Sequence, residues 1–118
     1  MKFTAEKIAE ILNSITHHIH RPDNSKPLSW SELSPEQKQY SKNAVEKIYA
    51  MNEIPSPESL HEIWMNPLLE DRWTIGNYSL VNRTHPCIMD YDSLPDSEKL
   101  KDLVWYHNLI VFKDFYDC

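Results

Sequence analysis

Glycine is nearly absent from this sequence: Gly76 is the only one among 118 residues, against eight prolines. Few positions can therefore adopt a positive φ angle without steric cost, whereas proline begins and ends helices and stiffens connectors. This balance favours helices joined by rigid segments over a β-sandwich with glycine-rich turns. It also argues against the glycine-rich phosphate loop and the nucleophile motif G-x-S-x-G, neither of which occurs.

Cysteine and long apolar runs are scarce as well. Cys87 and Cys118 are the only cysteines, too few for the disulfide framework of a small secreted domain. The sequence has no run of 18 apolar residues, and its first residues lack the apolar segment of a signal peptide. We therefore expect a cytoplasmic protein with free thiols and no membrane partner.

Basic charge is also in short supply, since 12 lysines and arginines face 18 acidic residues and give a formal net charge of −6. Binding to nucleic-acid polymers requires a basic face that releases counterions from phosphates, so we expect no such partner. His17 and His20 have no carboxylate or thiol at ligand spacing, and the aspartates around Tyr91 lack the EF-hand pattern. We expect no metal, no cofactor and no catalytic residue, and hence no enzyme.

Caps and apolar periodicity predict four helices. The first spans residues 4–19 with Thr4 as its N-cap, and the second begins at Ser34-Pro35 with Gln37 completing a capping box. The third runs from Pro57 to about Leu69 and also begins with a capping serine followed by proline, Ser56-Pro57. Between Arg72 and Met89 the helical period is lost, and we expect a short, irregular two-stranded element in which Gly76 supplies a turn that other residues resist.

The final helix runs from Leu94 to about Lys113 and is apolar on two sides. A helix of this kind is either central to a core or covered by another subunit, so we expect a homodimer. One side carries Leu100, Leu103, Val104, His107, Ile110 and Val111, and the other carries Trp105, Leu109 and Phe112.

Five linked motifs between His61 and Asp102 carry a family resemblance: HEIW, RWTIG, THPC, YDSLP and SEKLKD. Together they resemble the ryanodine receptor repeat (RyR) domain over roughly residues 28–113. The positions that match are His61, Glu62, Trp64, Trp73, Gly76, His85, Pro86, Tyr91, Leu94, Pro95, Lys99 and Asp102. The sequence departs from the pattern at Arg72, where the family usually has glycine, and at Ile75, where it has tyrosine.

The resemblance implies a small, mainly α-helical domain with a short β-hairpin, preceded by an added helix and connector in residues 1–27 and followed by a tail in residues 114–118. It also implies a cleft in which an adenine nucleotide stacks near the helical tryptophan. Prokaryotic relatives have been proposed to sense nucleotide-derived immune signals, and a free-standing viral copy would suit sequestration of such a signal.

Each candidate ligand-binding residue has a simpler structural alternative. Aromatic residues can stack a base or fill the core, His85 can bind phosphate or lock its loop, and arginines can bind phosphate or remain solvated. The second hypothesis for the whole chain is a protein–protein interaction or scaffold domain without a small ligand. The candidates are Trp64, His61, Trp73, Arg72, Arg83, His85 and Tyr91.

Overall fold

The computed structural model describes residues 1–117, so Cys118, the end of the expected tail, lies outside the described residues. The mainly α-helical fold is confirmed. The chain forms α1 (Ala5–Thr16), α2 (Pro35–Tyr49), α3 (Pro57–Glu70), β1 (Thr74–Ile75), β2 (Thr84–His85) and α4 (Asp96–Phe112), with short 3-10 helices at Trp30–Glu32, Tyr91–Ser93 and Lys113–Phe115.

Side-chain caps begin three of the four helices as the sequence predicts. Thr4 accepts a hydrogen bond from the Lys7 amide at 3.1 Å, and Ser34 accepts one from Gln37 at 3.2 Å within a complete capping box. Ser56 caps α3 in the same way. The first helix ends at Thr16 rather than at residue 19, because a turn follows in which the Ile19 amide bonds the Thr16 carbonyl at 3.0 Å.

One apolar core joins all four helices. Ile8 and Leu12 of α1, Ile48 of α2 and Leu109 of α4 are each at most 1% exposed and belong to one cluster, which Leu60 of α3 completes. Because α1 packs against both α2 and α4, it shares the core of the later helices. The expected start of a repeat near residue 28 stays a prediction.

The two apolar sides of α4 have different surroundings. Leu109 is fully buried, and Trp105 and Phe112 pack beside it. The opposite side stays uncovered, with Leu103 43% and Val111 63% exposed. None of the helices in residues 1–117 has the length and apolarity needed to cross a bilayer.

The two-stranded element forms where it was expected, but the hairpin interpretation is wrong about strand direction. β1 and β2 run parallel, pairing Thr74 with Thr84 and Ile75 with His85. A hairpin would require antiparallel strands. The segment between the strands folds back on itself, and its Ser79 forms an antiparallel bridge with Thr84 at the start of β2. After this reversal β2 runs alongside β1 in the same direction.

Gly76 lies in a bend of this segment, yet its φ angle is not positive. Its small size permits a close approach instead, since a Cβ atom at this position would lie 3.2 Å from the Thr84 Cβ. Among residues 1–117, positive φ angles occur at Asn24, Arg72 and Arg83. The turns that need left-handed backbone are thus made without glycine.

Candidate functional site

Two adjoining cavities lie where α1, α2, α3 and α4 meet the connector and the strand pair. Their volumes are about 190 Å³ and 160 Å³. The first extends towards α4, and the second extends towards Trp73 and Tyr78. Six residues line both cavities: Asn13, Arg21, Pro27, Ser41, Trp64 and His85.

Trp64 stands between two imidazoles on the wall shared by the cavities. Its ring stacks against His61 with centroids 5.5 Å apart and meets His85 edge-on at 4.8 Å. The indole is half-buried, and it also packs against the small apolar cluster of Leu68 and Trp73. Three candidates from the sequence therefore come together at one place, and Trp64 lines both cavities.

His61 is held by its backbone partner. The Nε2 atom lies 2.7 Å from the Met89 carbonyl oxygen, and a carbonyl can only accept, so Nε2 carries a proton and donates it. The other ring nitrogen, Nδ1, lies 3.9 Å from Oδ2 of Asp102. The imidazole is therefore oriented with one nitrogen on the loop before the second 3-10 helix and the other towards α4.

His85 is a neutral imidazole in this site. Its Nδ1 atom accepts a hydrogen bond from the Cys87 amide at 3.0 Å. Burial, together with the charges of Arg21 and Lys101, lowers the pKa of His85 to about 3. The ring keeps the loop in place and leaves its Nε2–H as a neutral donor.

Two carboxyl side chains of α4, those of Glu98 and Asp102, also line the first cavity. Glu98, which is 6% exposed, accepts a hydrogen bond from Lys101 at 2.8 Å. Burial and the nearby Glu98 carboxylate raise the pKa of Asp102 to about 7. The two side chains thus offer carboxyl oxygens to the first cavity, and Asp102 changes its charge near neutral pH.

Cys87 also lines the first cavity, as a thiol with no disulfide. Burial and the negative charge of Glu98 raise the pKa of this thiol. Because the thiolate is the nucleophilic form, Cys87 is chemically quiet at neutral pH.

Trp73 and Tyr91 occupy different positions. Trp73 is 4% exposed and lines the second cavity, and its Nε1–H has no acceptor among residues 1–117. Tyr91 lines neither cavity; its ring lies 6.3 Å from that of His61, and the Lys99 ammonium lies 5.4 Å from the Tyr91 ring centroid.

The two arginines proposed from the sequence line neither cavity. Arg83 forms an ion pair with Glu36 at 3.1 Å, and its guanidinium lies 5.9 Å from the Trp73 ring centroid. Arg72 follows the C-terminus of α3 with a φ angle of 68°. Its amide bonds the Leu69 carbonyl, and the next amide bonds Leu68, which is the Schellman motif that usually places glycine at this position.

Sequence reasoning missed several residues of the site. Glu98 was detectable, because spacings of three and four place it on one side of α4 with Lys101, a basic residue near the matched motifs, and Asp102, a matched position. Arg21 and Asn13 gave no such signal: they precede the matched motifs and reach the cavities only through the packing of α1 and its connector. Residues 1–117 contain no cluster of three or more histidine, cysteine, aspartate or glutamate side chains placed to hold a metal. A search against protein-family models gives no match for the chain.

Proposed function

We propose that this protein is a binding module without enzymatic activity that holds a small nucleotide-type ligand around Trp64. The observation that carries the proposal is the pair of adjoining cavities that share Trp64, Arg21 and His85. A cavity of about 150 Å³ can hold one benzene ring. Adjoining cavities of about 190 Å³ and 160 Å³ therefore have room for more than one ring-sized group, as a nucleotide requires.

The chemistry of the walls supports the same ligand class. An indole face stacks a nucleobase with about 1–3 kcal/mol per base and needs no sequence-specific code. The carboxyl groups of Glu98 and Asp102 can accept hydrogen bonds from ribose hydroxyls or from an exocyclic amine. Neutral His85 can donate to a base nitrogen or to a phosphate oxygen.

The resemblance to the RyR domain supports an adenine nucleotide or a cyclic nucleotide immune signal as the ligand. Trp64, the helical tryptophan near which the resemblance implies stacking, contacts His61 and His85, two further positions that match the family pattern, and all three line the first cavity. On this proposal the protein acts in the cytoplasm, where a viral copy sequesters a host signal and a bacterial copy senses one.

The test is direct binding to a panel of adenine nucleotides, cyclic dinucleotides and cyclic ADP-ribose variants by calorimetry and thermal shift. We expect one class to bind the wild type and to bind Trp64→Leu at least about tenfold more weakly, since leucine keeps the packing but removes the stacking face. Trp30→Leu is the matched control, because Trp30 packs on the core and lines neither cavity. A folded wild type that binds no member of the panel would overturn the proposal.

A second candidate function, a protein-interaction domain, is favoured by the uncovered side of α4. We propose that this side forms a homodimer interface, because several large apolar side chains on one side of α4 are 43–63% exposed, and exposed apolar patches mark interaction sites. The exposed residues are Leu100, Leu103, Ile110 and Val111. Isolation of a stoichiometric partner of another sequence, with no small ligand bound, would favour a scaffold role instead.

A further inference from the structure

Arg21 is held rigidly at the junction of the two cavities. Its amide bonds the Ser25 carbonyl at 2.8 Å and closes a turn in which Asn24 has a φ angle of 67°. The guanidinium carbon lies 3.8 Å from the Tyr78 ring centroid, and Nη1 donates to the Ser25 hydroxyl at 3.1 Å. The position of the charged group is thus determined by stacking on one side and by a hydrogen bond at one end.

The guanidinium of Arg21 has unused donors. A guanidinium carries five N–H groups, and Nη1 to Ser25 is the one hydrogen bond it makes within residues 1–117. None of the ion pairs in this part of the chain includes Arg21. Two permanent cations line the cavities. Lys101 is paired with Glu98, whereas Arg21 has no carboxylate of residues 1–117 at ion-pair distance.

The nearest carboxylates are committed to other donors. Asp23 accepts from the Ser25 amide at 2.9 Å, from the Ser25 hydroxyl at 2.6 Å and from the Tyr78 amide at 2.7 Å. Burial by itself would raise the pKa of Asp23, but these hydrogen bonds lower it to about 2. Glu98 is occupied by Lys101. Neither carboxylate therefore accepts a hydrogen bond from the Arg21 guanidinium.

A second donor near Arg21 also lacks an acceptor. Trp73 lines the second cavity together with Arg21, and its buried Nε1–H is unpartnered within residues 1–117. Burial lowers the pKa of the Arg21 guanidinium, so its charge is less well solvated here than in water. A group rich in acceptor oxygens and negatively charged would satisfy both needs.

We propose that Arg21 is the oxyanion-binding residue of this site and that the ligand places a phosphate group at the junction of the two cavities. This inference rests on the ligand-binding role proposed for the cavities and adds the charge of the ligand and its orientation. The phosphate oxygens accept hydrogen bonds from the Arg21 guanidinium, and hydrogen-bond donors of the ligand face Glu98 and Asp102. The phosphate does not contact Arg72 or Arg83, which the sequence analysis proposed as phosphate ligands.

The experiment uses the full chain at constant ionic strength with three probes: adenosine, AMP and inorganic pyrophosphate. We expect the wild type to bind AMP at least about tenfold more tightly than adenosine, the size of effect expected for hydrogen bonds to a charged group. Pyrophosphate alone should raise the Tm. Arg21→Gln should lose both the preference for AMP over adenosine and the increase in Tm with pyrophosphate.

Arg83→Gln is the matched control, since it removes the same charge outside the cavities. Arg21→Lys keeps the charge but loses the planar fork, and we expect an intermediate preference for AMP. If Arg21→Gln fails to fold, the wild-type affinities for adenosine and AMP still test whether the site prefers a ligand that carries phosphate. Equal wild-type affinity for the two ligands, with no pyrophosphate shift, would overturn the oxyanion site and leave nucleotide binding standing. A shift with pyrophosphate that needs Arg21, without binding of any nucleotide, would support the oxyanion site and refute the proposed function.

Discussion

The Nδ1 atom of His61 lies 3.9 Å from Oδ2 of Asp102, while Nε2 of the same ring donates to the Met89 carbonyl at 2.7 Å. The imidazole therefore bridges α4 and the loop that follows β2. Because the pKa of Asp102 is about 7, the charge on one side of this bridge changes close to neutral pH. Both residues line the first cavity, so the change occurs at the proposed binding site.

Replacing Asp102 with asparagine should remove a pH dependence of stability. The folded-state pKa of about 7 exceeds the ordinary value of 3.8, so folding takes up a proton between these two values. Stability from this group is therefore present at low pH and is lost as pH rises from about 4 to about 7. We expect the free energy of unfolding of Asp102→Asn to exceed that of the wild type by up to about 4 kcal/mol at pH 8, since each of the roughly three units of pKa difference corresponds to about 1.4 kcal/mol, and the difference should shrink towards pH 4.

Urea unfolding at several pH values measures this difference. Asp92→Asn is the control, because Asp92 is exposed and lines neither cavity. Parallel pH profiles for the wild type and Asp102→Asn would show that the carboxyl of Asp102 titrates normally.

Replacing Arg72 with glycine should stabilise the protein. Arg72 adopts a φ angle of 68° at the end of α3, a conformation that costs an L-residue about 1–2 kcal/mol. Glycine lacks the clashing Cβ atom, although it adds entropy to the unfolded chain, so we expect a net gain of about 1 kcal/mol. Thermal or urea unfolding gives the measurement. Arg72→Ala removes the side chain but keeps Cβ, so a gain of equal size in that variant would refute the backbone explanation.

Introducing charge on the uncovered side of α4 should dissociate the proposed homodimer. Val111 is 63% exposed, so Val111→Glu leaves the core untouched, and a buried unpaired carboxylate would oppose association. We expect the wild type to be dimeric and Val111→Glu monomeric by light scattering across a wide concentration range. Val81→Glu is the matched control, since Val81 is 94% exposed on the loop before β2. A wild type that stays monomeric throughout would contradict the dimer.

The sequence by itself determined the helices, because their signals are local. A capping hydroxyl acts on an amide three residues later, so Thr4, Ser34 and Ser56 could be recognised without knowledge of the fold. The same holds for Trp64 and His61, which lie three apart on α3 and therefore share one side of it. The sequence also showed arginine at position 72, where the family pattern has glycine. The positive φ angle of Arg72 explains why glycine would suit this position.

Only the tertiary structure decided the rest. The direction of β2 depends on how residues 76–83 fold back, which no period of the sequence encodes. Which side of α4 is buried depends on the position of α1 and α3, since both sides are apolar in the sequence. Arg21 and Asp102 are 81 positions apart in the chain yet line the same cavity. Contacts of this kind form when helices pack. Burial then raises the pKa of Asp102, and no carboxylate among residues 1–117 lies at ion-pair distance from the Arg21 guanidinium.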